Sequence, residues 1–135
     1  MKRLFLLLGL LLLLFSPGKM YAMESQNVAD NPVFRNVKVS GEKGHYKVSG
    51  EARPIKGLFY YSVEDGHNEF ISETVRAHKT KFPKWAPFSI SIDIDKSKLP
   101  VNASLILNLY ERSKKDKSII HSYPVLLEQF YPQES

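Results

Sequence analysis

Two short segments of the sequence place positive charges close to aromatic rings. Residues 79–85 hold three lysines with Phe82 and Trp85, and residues 112–117 hold four basic residues around Asp116. Clustered basic side chains attract anions, and an indole ring offers an apolar face with a polar edge. The pattern therefore predicts contact with an anionic wall polymer, with phospholipid headgroups or with an acidic protein. The candidate contact surface consists of Lys79, Lys81, Lys84, Trp85, Arg112, Lys114, Lys115 and Lys117.

The other reactive side chains form no catalytic or metal-binding pattern. The four histidines have no metal-ligand spacing, and no serine lies in a G-x-S-x-G sequence. Asp93 and Asp95 share one strand face, but Ca²⁺ takes about six to eight oxygen ligands. The sequence predicts a protein that is not an enzyme and that uses no cofactor or metal.

The N-terminal segment is typical of a signal peptide. Lys2 and Arg3 precede residues 4–15, which are apolar apart from Gly9, and this run is shorter than the about 20 residues that span a bilayer. We expect cleavage after Ala22, and an uncleaved tether is the alternative because Met20 stands where a small residue is preferred. The predicted location is secreted or extracytoplasmic, at the cell envelope.

Loss of residues 1–22 changes the charge of the chain. Removal of Lys2, Arg3 and Lys19 lowers Lys+Arg from 19 to 16 against 14 Asp+Glu, so the net charge falls from +5 to +2. The chain has no cysteine, so an exported domain must fold without disulfides. The expected partner is a cell-wall polymer or an envelope protein. Nucleic acid is not expected, and membrane contact is expected only through an uncleaved signal segment.

Alternation of apolar and polar residues predicts an all-β chain of short strands. Residues 88–95 place four apolar side chains on one face, and residues 104–110 and 58–64 alternate in the same way. Asp65 and Gly66 predict a turn that pairs residues 58–64 with residues 69–78. Residues 58–64 and 104–110 are predicted to lie centrally, and residues 119–128 at an edge or bulged at Pro124, which cannot donate to a ladder.

The letters KVSGE occur twice, at residues 38–42 and 47–51. Each copy predicts a short strand ended or bent by Gly41 or Gly50, with Gly44 in a turn between them. The two strands form either one hairpin or parts of different sheets. We interpret the duplication as structural, because turn residues around β-branched runs are common in all-β domains. About seven strands at this spacing predict an immunoglobulin-like β-sandwich.

Four motifs carry a resemblance to a known family. They are VSGEAR at 48–53, YYSVEDG at 60–66, WAPF at 85–88 and LNLYERSKKDKS at 107–118. In this order they resemble the immunoglobulin-like domain associated with bacterial spore germination and sporulation, over about residues 37–128. The resemblance implies an extracytoplasmic domain that binds or scaffolds and has no catalytic residues. The chain departs from the family at Lys117, where the family has glycine, and at residues 54–57.

Trp85 has a second interpretation in this fold. It is the only tryptophan, and immunoglobulin-like sandwiches bury one large aromatic residue. We therefore favour inward-turned Trp85 and Phe82 that close one end of the core, over carbohydrate stacking on Trp85.

The predicted organisation is a signal peptide (1–22), an N-terminal extension (23–36), the immunoglobulin-like domain (37–130) and a tail (131–135). The predicted function is non-enzymatic binding or scaffolding at the envelope, plausible in sporulation or germination. An exported protease inhibitor that presents residues 82–87 from the sandwich is the alternative.

Overall fold

A computed structural model describes residues 31–133 of the chain. The predicted signal peptide, its cleavage site and the extension up to residue 30 lie outside the described residues, as do residues 134–135. No helix within the described range is long and apolar enough to cross a membrane.

The described chain forms two antiparallel sheets. The strands are β1 (Phe34–Glu42), β2 (His45–Ala52), β3 (Leu58–Glu64), β4 (Glu69–Ala77), β5 (Ala86–Asp93), β6 (Ala103–Arg112) and β7 (Ile119–Phe130). Sheet A has the order β1-β2-β5 and sheet B the order β4-β3-β6-β7. The prediction of an all-β immunoglobulin-like sandwich of about seven strands is confirmed. β3 and β6 are central in sheet B, and β7 is an edge strand, as the sequence predicts.

The core lies between the sheets because every second residue of the strands points inward. Phe88, Ile90 and Ile92 of β5 are buried, and Leu105, Leu107 and Leu109 of β6 are fully buried. Phe59 of β3 packs edge-on against Phe34 and Phe88, with ring centroids 5.3 and 5.4 Å away. Burial of these side chains is the main source of stability in a domain without disulfides.

The duplicated KVSGE segments form one hairpin. β1 pairs with β2 through Val39 opposite Val48, and the two-residue turn between them has positive φ at Lys43 (48°) and Gly44 (96°). Positive φ at both central residues is the geometry that matches the twist of a hairpin. Of the two arrangements open from the sequence, the hairpin is therefore the one that occurs.

The folded domain starts earlier than residue 37. Val33 and Phe34 are fully buried. The Asn31 side chain accepts hydrogen bonds from the Val33 and Phe34 backbone N–H groups at 2.9 and 3.0 Å, and donates to the carbonyl of His121 at 3.1 Å. These contacts fasten the start of β1 to β7, so residues 31–36 belong to the sandwich and not to an extension.

Candidate functional site

Three loops gather at one end of the sandwich. They are residues 53–57 between β2 and β3, 78–85 between β4 and β5, and 113–118 between β6 and β7. The register of the sheets places them together: Leu58 pairs with Ala77, Tyr60 with Tyr110, and Ala52 with Ala86. We name these three loops the basic end. Both segments predicted as a contact surface therefore lie at the same end, joined by a third loop.

The basic end is strongly positive. Its loops hold eight basic residues and one acidic residue, Asp116. All seven lysines are exposed, and within residues 31–133 no lysine takes part in an ion pair. Their charges therefore face solvent without a fixed counter-charge. The basic residues are Arg53, Lys56, Lys79, Lys81, Lys84, Lys114, Lys115 and Lys117.

The opposite end of the sandwich carries mainly acidic side chains. It comprises the turns at 43–44 and 65–68, the connection 94–102 and the strand ends that adjoin them. Three lysines lie there, Lys43, Lys96 and Lys98. The acidic residues in these turns and at the adjoining strand ends are Glu42, Glu64, Asp65, Glu69, Asp93, Asp95 and Glu128. The charge of the domain is therefore polarised along its long direction.

Hydrogen bonds join two loops of the basic end to each other and one of these loops to the end of β6. The Phe82 N–H donates to the Pro54 carbonyl at 3.0 Å, and the His78 N–H donates to the Gly57 carbonyl at 2.9 Å. The Ile55 N–H donates to Glu111 Oε2 at 2.8 Å. Glu111 is the penultimate residue of β6. The basic residues are thus presented on a connected support rather than on independent loops.

Trp85 and Phe82 do not enter the core, which corrects the sequence interpretation. The Arg35 and Arg53 guanidinium groups lie 4.1 and 4.3 Å from the Trp85 ring centroid, and Arg53 also lies 4.4 Å from that of Phe82. Trp85 is half-buried and Phe82 is exposed. Arg35, Trp85, Arg53 and Phe82 form a cation–π cluster, whose contacts are each worth about 0.5–1 kcal/mol at exposed sites. A sugar stacked on Trp85 would compete with these guanidinium groups.

Arg112 is held in place and is not a free cation. It donates from Nη2 and Nε to Glu73 Oε1 at 2.8 and 3.0 Å, and from Nη1 to the Lys117 carbonyl at 2.6 Å. These donors, with the Tyr110 hydroxyl, hold the pKa of the Glu73 carboxyl below its usual range. Burial, together with donation to Glu73, raises the pKa of Tyr110. Arg112 therefore orients loop 113–118 and adds less free charge to the surface than the sequence predicts.

Among the described residues, no three histidine, aspartate or glutamate side chains gather in a way that could hold a metal ion. His45 and Asp93 are paired at 2.9 Å at the exposed end of the β1–β2 hairpin. His121 contacts Glu111, and His78 Nε2 lies 3.1 Å from the carbonyls of Ala52 and Ala86. His45, His78 and His121 therefore each contact another group of the domain.

Two antiparallel sheets of three and four strands, with connections gathered at both ends, define an immunoglobulin-like β-sandwich. Residues 32–118 match the immunoglobulin-like domain of bacterial spore germination, and the chain belongs to this family. The resemblance in the sequence motifs is confirmed. The match ends before β7, although β7 supplies Val125 and Leu127 to the core. No match was found among curated proteins or among solved structures.

Lys117 shows the cost of its departure from the family motif. Its φ is 62°, a left-handed conformation that costs a residue with a Cβ about 1–2 kcal/mol and glycine almost nothing. We expect Lys117→Gly to raise the free energy of unfolding by roughly 0.5–1 kcal/mol, measured by urea denaturation. Lys115→Gly removes the same charge where φ is not positive, so it is expected to lower stability. A loss of stability in both variants would contradict the strain at Lys117.

Proposed function

We propose that this chain is an exported, non-enzymatic binding domain of the bacterial cell envelope, acting in spore germination or sporulation. It contacts an anionic envelope component through the basic end. The observation that carries the proposal is the group of seven exposed lysines in three neighbouring loops, with no ion pair to neutralise them within residues 31–133. The family gives the germination context.

Several features support an extracytoplasmic binding role. The first 22 residues have the charge and apolar pattern of a signal peptide. The sandwich buries its core without a disulfide, and its functional surface consists of loops on a rigid support, an arrangement common in binding domains. The candidate partners are the anionic components of the envelope, namely a cell-wall polymer, phospholipid headgroups or an acidic envelope protein, and the proposed action includes no chemical step.

The contact residues divide into two groups by their surroundings. Lys79, Lys81, Lys84, Lys114, Lys115 and Lys117 are exposed and supply the attraction, as do Lys56 and, in part, Arg53. Trp85 and Arg112 act as supports, because Trp85 holds two arginines and Arg112 holds loop 113–118. Lysine substitutions are therefore expected to change binding, whereas Trp85 and Arg112 substitutions also change loop structure.

The protease-inhibitor alternative has less support. Such an inhibitor would present residues 82–87 as an accessible extended segment. Ala86 and Pro87 instead pair with Ala52 and Glu51 inside sheet A, and the Phe82 N–H is bonded to Pro54. Because half of the segment is engaged by the domain itself, a protease has little free backbone to bind there.

Co-sedimentation with isolated cell-wall sacculi tests the proposal. The protein used in this experiment is the chain that begins at Met23. A cooperative thermal melt first shows that it is folded. We expect binding at about 50 mM salt and much weaker binding at about 500 mM, because the Debye length shrinks with salt. Replacement of Lys79, Lys81, Lys114 and Lys115 by serine is expected to weaken binding at least about tenfold, with little change in Tm because surface substitutions cost about 0.5 kcal/mol or less each.

A matched variant separates position from charge. Serine at Lys38, Lys47, Lys96 and Lys98 removes the same charge away from the basic end, from residues that are also exposed. We expect this variant to bind nearly as the unchanged chain does. Equal losses in the two variants would make net charge responsible and would refute a role for the basic end.

A further inference from the structure

We propose that the basic end docks on an anionic phospholipid bilayer, with Ile55 and Phe82 inserted among the headgroups and the surrounding lysines paired with lipid phosphates. The inference rests on the proposed function for its contact surface and names the partner more narrowly. It also goes beyond the sequence expectation, which leaves a wall polymer, phospholipid headgroups and an acidic protein as alternatives for the basic segments.

The first observation is that large apolar side chains are exposed among the lysines. Ile55 is 49% exposed and Phe82 is 44% exposed. They lie in neighbouring loops, because the Phe82 N–H is bonded to the carbonyl of Pro54, the residue before Ile55. Lys56 follows Ile55, and Lys81 precedes Phe82. Apolar side chains at loop tips with basic neighbours match the chemistry of a bilayer interface, which is apolar beneath anionic headgroups.

This combination favours a lipid surface over a wall polymer. A polymer of sugars and phosphates satisfies the lysines but offers no apolar layer to Ile55 or Phe82. A bilayer satisfies both, since the hydrocarbon stem of a lysine can lie along apolar surface while its ammonium group stays with the phosphates. The proposed occupant therefore accounts for two kinds of exposed side chain with one contact.

The choice of basic residues points the same way. The three loops hold seven lysines and only one arginine. Arg53 is not free, because its Nε donates to the Pro32 carbonyl at 2.7 Å and its guanidinium lies on Trp85 and Phe82. Lysine is a flexible point charge, whereas arginine makes fixed two-pronged contacts with single phosphates. A fluid array of headgroups suits the former.

The polarity of the domain gives the docking a direction. The acidic side chains of the opposite end are repelled by an anionic surface, so the basic end turns toward the bilayer.

Trp85 provides a built-in reporter for the test. It is the only tryptophan, and it lies in the cation–π cluster with Phe82 at the basic end. The chain from Met23 is mixed with vesicles of phosphatidylglycerol and phosphatidylcholine, or of phosphatidylcholine alone. We expect co-sedimentation with the anionic vesicles only, and quenching of Trp85 fluorescence when some of their headgroups carry a nitroxide. Binding without quenching would mean that another surface faces the bilayer and would overturn the proposal.

Two double variants test the apolar contribution. Ile55→Ser with Phe82→Ser is expected to weaken binding to anionic vesicles roughly tenfold. Val101→Ser with Tyr131→Ser removes exposed apolar side chains away from the basic end and is expected to have no effect. The melting temperature of each variant is recorded, so that a loss of binding is not confused with unfolding. Unchanged binding by the Ile55 and Phe82 variant would overturn the proposal.

The sacculus experiment separates this inference from the proposed function. Binding to sacculi without binding to anionic vesicles would overturn the lipid proposal and leave the proposed function standing, with a wall polymer or wall protein as partner. Binding to neither would overturn both. Binding to anionic vesicles that is lost in the lysine variant and in the Ile55 and Phe82 variant would support the lipid proposal.

Discussion

Replacement of Phe59 by alanine is expected to lower the free energy of unfolding by about 3–5 kcal/mol. Phe59 is fully buried and lies on β3, a central strand of sheet B. Its ring centroid lies 5.3 Å from Phe34, 5.4 Å from Phe88 and 5.8 Å from His78, in edge-on arrangements. Alanine removes the contacts between Phe59 of sheet B and the two phenylalanines of sheet A, Phe34 and Phe88. It also leaves a cavity that the surrounding strands cannot fill.

Urea denaturation of the chain from Met23 measures this loss. Phe82→Ala is the matched control, because it makes the same chemical change at a side chain that is exposed at the basic end. We expect the control to cost about 1 kcal/mol or less, through its contact with Arg53. Similar losses at the two positions would mean that the aromatic centre of the domain does not lie at Phe59.

The strands of the core could be predicted because their periodicity is local. Residues 88–94 alternate strictly, residues 105–109 alternate apart from the apolar Ile106, and the structure buries the predicted face of each. Pro124 limits β7 to an edge for an equally local reason, since proline has no N–H to donate. There it pairs with Asn108, and the register shifts on either side of it.

The sequence pattern does not predict the start of the domain, because a register shift breaks the alternation of β1. The shift lies between Arg35 and Lys38, and Asn36 has a φ of 53°. Arg35 and Asn36 are therefore both exposed after the buried Phe34. The alternation with period two begins only after this point. The sequence therefore predicts residue 37 as the first residue of the domain.

The position of Trp85 depends on partners that are distant in sequence. Composition suggests that a lone tryptophan fills the core, but Phe34, Phe59 and Phe88 already occupy that space. Trp85 instead meets Arg35, which is brought near by sheet A, and Arg53, which follows β2. No local sequence pattern predicts a cation–π contact between residues so distant along the chain. The sequence patterns also do not predict loop 53–57 as part of the contact surface, although strand directions in a sandwich place it beside the other two loops.

Replacement of Glu111 by alanine is expected to destabilise the domain by about 2–3 kcal/mol, because it removes a buried carboxylate that makes two hydrogen bonds. Glu111 is 4% exposed and is the only buried charged residue within the described range. Its Oε2 accepts the Ile55 N–H at 2.8 Å, and its Oε1 lies 2.8 Å from His121 Nδ1. Alanine leaves both groups without their partner.

Glu111→Gln distinguishes the hydrogen bonds from the charge. The amide oxygen can still accept the Ile55 N–H, so we expect a smaller loss of about 1–2 kcal/mol in urea denaturation. Glu42→Ala, at an exposed position, is the control for the chemical change and is expected to cost about 0.5 kcal/mol or less. If Glu111→Ala cost no more than Glu42→Ala, the carboxylate would not anchor the loop. Ile55 belongs to the loop that Glu111 holds, so the Glu111→Ala variant, which loses this hydrogen bond, also shows in its folded form whether membrane binding needs that loop in its observed position.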